Sequence, residues 1–417
     1  MMITPYTLSL FIYNLSLLPV IFFSVLFLTL SLISILLGRK EQQRFRKLDR
    51  LPFVSVQIPT FNDPIAERCV RKCMEFDYPK DRYEIIIADD STNINTQNLL
   101  RRFAEENPEL IKYIHRENRN GFKPGALKNA MKITKGEILV IFDADWIPGK
   151  DFLEKIIRPF SDKKIAIVQT RQGFYNKDTN LITRFASYTL MIYHTIVMPI
   201  NNRINCVFFC GTAGAIRRSA FEEVGGWNLN SITEDFDLSV KLLSKGYKTT
   251  YLDFETPSEV PDTFEGFIKQ QMRWCYGNAR VFFDNASNIL FKKGLSSRQK
   301  AMVAFVTLAN IGAPFVVIMT IFGFSGWFLG EPSLFNWQDI IDLSSRFAYT
   351  GGFFLMGAIA LFRLDRLKEF GHFIISALAM GLVLAVSNSI AFMKAIFNIP
   401  LHWHCTPKTD NSSVLLK

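Results

Sequence analysis

The chain has 417 residues, with 48 Lys and Arg against 38 Asp and Glu, a net charge of +10, and 49% hydrophobic residues that include 39 Phe. That length holds one large domain plus membrane segments, and the scattered basic residues with no recognition motif exclude a nucleic-acid reader. The six cysteines, at 69, 73, 206, 210, 275 and 405, form no CxxC pair, which excludes a zinc ribbon.

Residues 1–38 contain no Lys, Arg, Asp or Glu, and Phe11 to Leu37 is long enough to cross a bilayer. A signal peptide would start basic and end at a small-residue cleavage site. Gly38-Arg39-Lys40 is neither, so an uncleaved anchor over 1–38 is expected. Pro19 leaves open whether it makes one pass or two short ones. Arg39, Lys40, Arg44, Arg46, Lys47 and Arg50 follow it, which by the positive-inside rule sets the next domain, 39–300, in the cytoplasm of an integral membrane protein of the cell membrane. Its cysteines are then expected to be reduced.

The next stretch alternates strand and helix. Strands are expected at Phe53–Ile58, Tyr83–Ala88, Ile111–His115 and Glu137–Phe142, and helices at Ile65–Met74, Thr96–Glu106 and Ala126–Ile133. Such alternation points to a parallel sheet with helices on both faces. Ligands of open α/β sheets bind beyond the carboxyl ends of the strands. Asp89-Asp90 and Asp143-Ala144-Asp145 fall there.

Leu181 to Ile200 is apolar but carries Arg184 and His194, so it is expected along the bilayer surface or packed in the domain. Phe264 to Phe291 mixes charge and aromatics and also suits an interfacial position. Ala301–Leu329 is charge-free and can span, Phe347–Phe362 is a shorter candidate, and Phe373–Met393 is a further one. Residues 301–398 thus form a C-terminal membrane region, with 399–417 as a tail.

Each chemical motif has a plain structural reading beside the functional one. A nucleotide sugar departs as a diphosphate, and a hard cation on a carboxylate such as Asp143 or Asp145 neutralises that charge; an Asp-rich turn alone is usually just a turn. Phe209 to Ala215 offers a Gly-rich backbone that a sugar could approach, or a tight turn. Thr233-Glu234-Asp235 supplies a general base for a hydroxyl, or a helix cap. Gln270, Arg273 and Trp274 group an amide, a guanidinium and an indole, or form an ordinary helix face.

Their order is more specific than any one of them. VQIPTFN (Val56–Asn62), DDS (Asp89–Ser91), NRNGFKPGAL (Asn118–Leu127), FDAD (Phe142–Asp145), VQTR (Val168–Arg171), GTAG (Gly211–Gly214), TED (Thr233–Asp235) and QQMRW (Gln270–Trp274) follow one another without a large gap. The chain resembles the cellulose synthase-like branch of the family 2 glycosyltransferases, in texture that of plant mannan and glucomannan synthases. The resemblance implies an α/β GT-A (Rossmann-like) catalytic domain with flanking transmembrane and interfacial helices, inversion at the anomeric carbon, and Mg²⁺ or Mn²⁺. It implies that Thr60, Asp89, Lys123, Asp143, Gln270 and Arg273 hold the nucleotide sugar and that Asp145 binds the metal. By the same token Asp235 is the base, and Phe209, Gly211, Thr212 and Trp274 face the acceptor.

The donor implied is GDP-mannose or UDP-glucose and the product a growing β-glycan. An alternative is transfer of one or a few sugars to a membrane lipid, which the small membrane region favours. A channel complete within one subunit is not expected from about four helices, and a homo-oligomer is left open. A catalytically dead scaffold would lack the acidic residues, which are all present, and a transporter would carry charge inside its apolar helices. Thr406-Pro407-Lys408 resembles a cytoplasmic gating element, although a count of crossings puts Lys408 outside. His402-Trp403-His404-Cys405 is a weak metal candidate.

Overall fold

The computed structural model describes residues 4–38, 45–291, 294–330, 348 and 350–401. His402 to Cys405 and Thr406 to Lys408 lie outside the described residues. The centre is one seven-stranded sheet: β1 (Val54–Thr60), β2 (Tyr83–Asp89), β3 (Ile111–His115), β4 (Ile138–Ile141), β5 (Ile165–Phe174), β6 (Gly214–Arg217) and β7 (Lys248–Ser258), in the order β3-β2-β1-β4-β6-β5-β7.

Strands β1 to β4 pair in parallel, with Thr60 opposite Asp89 at their carboxyl ends. Both faces are covered, which is why these strands read as near-continuous apolar runs. Val54, Val56, Ile58, Ile85, Ile87 and Val140 pack in one layer with α2 (Ala66–Met74), α3 (Ile94–Glu106) and α5 (Phe152–Ile157). Ile86 and Ala88 face α4 (Phe122–Ala130), while Leu139 and Ile141 join α8 (Arg218–Glu223) and α9 (Glu234–Ser244) in the other layer. Each fully buried large side chain stabilises the fold by about 1.5–3 kcal/mol.

The sheet is mixed rather than wholly parallel. β6 runs antiparallel to both β4 and β5. It has four residues and begins inside the Gly-rich motif, so its sequence carries no strand period. α4 starts four residues before the expected Ala126, because Pro124 falls in its first turn, where its missing N–H breaks no helix bond.

The apolar segments fold as helices. α1 (Pro5–Leu37) runs unbroken through Pro19 as one helix of 33 residues. With Ser297–Leu329, which comprises α11 (Ser297–Leu308), a 3₁₀ turn and α12 (Gly312–Leu329), and with Leu367–Ile396, it makes three helices long and apolar enough to cross a membrane among the described residues. α13 (Gly352–Arg363) is shorter, and α14 (Phe370–Ile396) holds most of the last span. α6 (Leu181–Ile192) passes through a π turn into α7 (Met198–Arg203); its Phe185, Tyr188 and Ile192 are buried in a core shared with Leu30, Phe267, Met356 and Phe373. That segment therefore packs within the domain, against the apolar helices. α10 (Phe264–Phe291) has the bounds expected from its sequence.

Candidate active site

The cleft opens where the parallel strands end. Thr60 closes β1, the Asp143–Asp145 turn follows β4, and Gly211 and Thr212 arrive from the loop before β6; all line the cleft with Lys123, Asp235, Gln270, Arg273 and Trp274. Ten of the residues proposed from sequence, drawn from six separate stretches, are thus brought to one surface.

A short network fixes the Asp143 side of the cleft. Lys123 Nζ donates to Asp143 Oδ1 at 2.5 Å and to the Gly211 carbonyl at 2.9 Å. The Asp143 N–H donates to Thr212 Oγ1 at 2.9 Å. Buried Gln169 braces the same loop, donating to the Thr212 carbonyl at 3.0 Å and accepting from Cys210 N–H at 2.9 Å. Burial lowers the Lys123 pKa, but Asp143 and then Glu234 and Asp235 outweigh it and raise the value above normal, so the ammonium stays charged. A fixed cation here suits a phosphate.

Asp145 is buried at the cleft wall, and its Oδ2 accepts the Glu259 N–H at 3.0 Å. Among the described residues no group of three or more His, Cys, Asp or Glu gathers to hold a metal. With Asp143 paired to Lys123, the chain offers chiefly Asp145, a hard oxygen donor. Such a set fits Mg²⁺ or Mn²⁺ that takes its remaining oxygens from water and a diphosphate.

Thr233 precedes α9 without a side-chain cap, and Glu234 and Asp235 are its first two residues. Asp235 is therefore not the capping residue; its Oδ1 accepts the adjacent Phe236 N–H at 2.8 Å. Carboxylates in a first helical turn meet the positive end of the helix dipole. A Cβ added to Gly211, which has φ of +77°, would lie 2.8 Å from Asp235 Oδ2 and 3.5 Å from Lys123 Nζ. Only glycine lets Asp235, Lys123 and this loop converge.

Burial raises the pKa of both carboxyls. The charge of Asp235 further raises Glu234, to about 7, while Lys123 and Arg273 pull both carboxyls back down. Glu234 thus holds its proton toward neutrality.

Gln270, Arg273 and Trp274 stand at i, i+3 and i+4 on α10, one face of a helix, and that face lines the cleft. Cys275, Tyr276 and Ala279 on the opposite side are buried against α14 residues Ala391 and Phe392. Gly277 permits the close docking of α10 on the TED turn, since a Cβ there would sit 2.4 Å from Thr233 Cγ2.

Two sequence-proposed residues lie outside the cleft lining. The Asp89 carboxylate turns beneath the sheet edge, accepting from Tyr113 Oη at 2.7 Å and Ser91 N–H at 3.0 Å and meeting His115 Nδ1 at 3.2 Å. Its neighbour Asp90, paired with Arg116, lines the cleft instead. Phe209 is buried in the core beside Trp227, as an apolar ring preceding the loop. Arg119, stacked 3.2 Å over the Phe61 ring, and Glu259 also line the cleft. Arg119 sits within the NRNGF motif; nothing in the sequence around Glu259 marks it.

Residues 138–401 match the model of the glycosyl transferase family group 2. The chain belongs to that family. Among curated relatives of this family-2 chain, glucomannan 4-beta-mannosyltransferase 9 of Arabidopsis thaliana is 35% identical over 65% of the chain and 54% of its own length. Glucomannan 4-beta-mannosyltransferase 1 of Oryza sativa subsp. japonica is 36% identical over 61% of the chain and 51% of its own. The chain spans about half the length of these curated relatives. Among solved structures, a mannosyltransferase from Pyrobaculum calidifontis, in complex with GDP-Man and Mn²⁺, superposes with a TM-score of 0.64 at 17% identity, covering 95% of this chain and 100% of that one. The shared fold is the GT-A-like arrangement of a mixed sheet flanked by helices.

Proposed function

We propose that this family-2 chain transfers a hexose from a nucleotide sugar to a hydroxyl acceptor at a membrane, with inversion at the anomeric carbon. The observation that carries the reading is the meeting of two chemistries in one cleft. Lys123, Asp143 and Asp145 line it together with Glu234, Asp235, Arg273 and Trp274.

Lys123 and Arg273 bind the diphosphate. Asp145 would hold Mg²⁺ or Mn²⁺, which when bound would supply positive charge against the departing nucleoside diphosphate. Asp235 takes the proton of the acceptor hydroxyl as that oxygen attacks the anomeric carbon from the face opposite the leaving group. Trp274 presents an apolar ring face to the acceptor sugar. Thr60, Gln270, Gly211 and Thr212 complete the donor and acceptor walls.

The curated relatives named above are glucomannan mannosyltransferases, which favours GDP-mannose over UDP-glucose as donor and a β-glycan as product. Transfer of one or a few sugars to a membrane lipid is the second reading, favoured by only three spanning-length helices among the described residues. The test is a panel of labelled nucleotide sugars supplied to membranes carrying the chain. Consumption of one donor with growth of a long glycan supports the first reading, label confined to extractable lipid supports the second, and no donor consumed contradicts both.

A further inference from the structure

The turn that bears Asp145 is laced to the segment between β7 and α10. Ile147 N–H donates to the Pro257 carbonyl at 2.9 Å, and Glu259 N–H donates to Asp145 Oδ2 at 3.0 Å. That second bond fixes one oxygen of the carboxylate proposed above for the cation. Its direction depends on how residues 258–262 are held.

They are held from three sides. Tyr175 N–H donates to the Ser258 carbonyl at 3.2 Å. Asn176 grips Val260 reciprocally, donating to its carbonyl at 2.8 Å and accepting its N–H at 3.0 Å, and Asn180 donates to the Asp262 carbonyl at 2.8 Å. The third tie is the Glu259 side chain, which is almost wholly buried. It accepts a short hydrogen bond from Tyr175 Oη and pairs with Arg68 at 3.5 Å. Arg68 in turn donates to Tyr175 Oη at 2.6 Å and reaches the Asp145 carbonyl at 3.5 Å. Burial, and then the bond to Glu259, raise the Tyr175 pKa, so its hydroxyl stays protonated and serves as donor.

We propose that Glu259, with Tyr175 and Arg68, is the positioning group that orients the Asp145 carboxylate for a divalent cation bound together with the donor diphosphate. The inference rests on the reading of Asp145 as the metal-binding carboxylate. Groups that orient a metal ligand tune its affinity by about 10- to 100-fold. Glu259 has a further consequence through its place in the chain: it opens the connector to α10, so the helix carrying Gln270, Arg273 and Trp274 is anchored to the same carboxylate.

The test measures Mn²⁺ binding in the presence of GDP, by the free-Mn²⁺ electron paramagnetic resonance signal, on the full chain in detergent. UDP replaces GDP if the donor panel selects uridine. Asp145→Ala is the reference for loss of the site. Glu259→Ala is expected to weaken Mn²⁺ about tenfold, and Tyr175→Phe, which removes one oxygen and no charge, at least about threefold. Both should leave metal-free GDP binding unchanged, raise the Mn²⁺ needed for half-maximal transfer, and recover most of kcat at saturating Mn²⁺. Should Glu259→Ala fail to fold once Arg68 loses that carboxylate, Tyr175→Phe decides alone. Asp145-dependent Mn²⁺ binding that is unchanged in the folded variants overturns the positioning role alone. Wild-type Mn²⁺ binding that does not depend on Asp145 overturns the metal reading of that residue and the positioning role with it.

Discussion

Glu234 and Asp235 are adjacent in sequence, with Glu234 buried and Asp235 half-buried. Lys123 and Arg273 favour ionisation of both, while Asp235 itself disfavours ionisation of Glu234. Since Asn matches Asp in size but cannot take a proton, Asp235→Asn should fold and bind donor and metal normally while transfer falls about 10²-fold or more. Retention of most of the transfer rate would move the base to Glu234. Glu234 also sets a pH signature of stability. Its folded pKa of about 7 exceeds its ordinary 4.5, so the protonated form stabilises the fold fully below pH 4.5 and that contribution, roughly 3 kcal/mol, is lost as pH rises through 7. Thermal unfolding of the wild type in detergent should therefore shift downward between pH 4.5 and 8, and Glu234→Gln should flatten that profile. An equal slope in both proteins would show that Glu234 is not the titrating group.

Helices and turns account for what the sequence could and could not reveal. α10 was legible to its ends because its i, i+3, i+4 pattern is local, and the three residues of its QQMRW motif do share the cleft. β6 was not, since four residues containing glycine read as a turn until β4 and β5 flank them. Asp89 and Phe209 sit in the expected motifs, but motif membership says nothing of which way a side chain points. At Gly211 the crowding is tertiary and equally invisible. Gly211→Ala would force a strained φ and press on Asp235 Oδ2, at a cost of about 1–3 kcal/mol for the backbone alone. It should therefore cut transfer sharply while leaving nucleotide binding near normal, and equal loss of both in a folded variant would contradict that. Trp274→Ala is expected to raise the acceptor KM at least about threefold, as loss of a stacked aromatic face costs about 0.5–1.5 kcal/mol, and to spare donor binding. Equal losses would assign the indole to packing.

At the scale of the whole molecule, catalytic sheet and apolar helices share one core, in which Phe185 and Phe267 meet Met356 and Phe373. The cleft is thereby fixed against the spanning-length helices, a placement suited to an acceptor or product at the membrane. Arg46, Lys47 and Arg50 lie between α1 and β1, so the positive-inside rule predicts a cleft that faces the cytoplasm. Cysteines introduced on the sheet edge should react with impermeant reagents only from that side; labelling from the outer face would reverse the topology. The claim on which all of this converges is metal-assisted hexose transfer from a nucleotide sugar. The measurement that tests it most directly follows nucleoside diphosphate release and labelled acceptor product from the full chain in lipid, using the donor that the panel selects. Both are expected to appear together with Mg²⁺ or Mn²⁺, vanish with chelator, return on adding metal, and be absent in Asp235→Asn. Undiminished transfer in excess chelator, or equal transfer by Asp235→Asn, would contradict that claim.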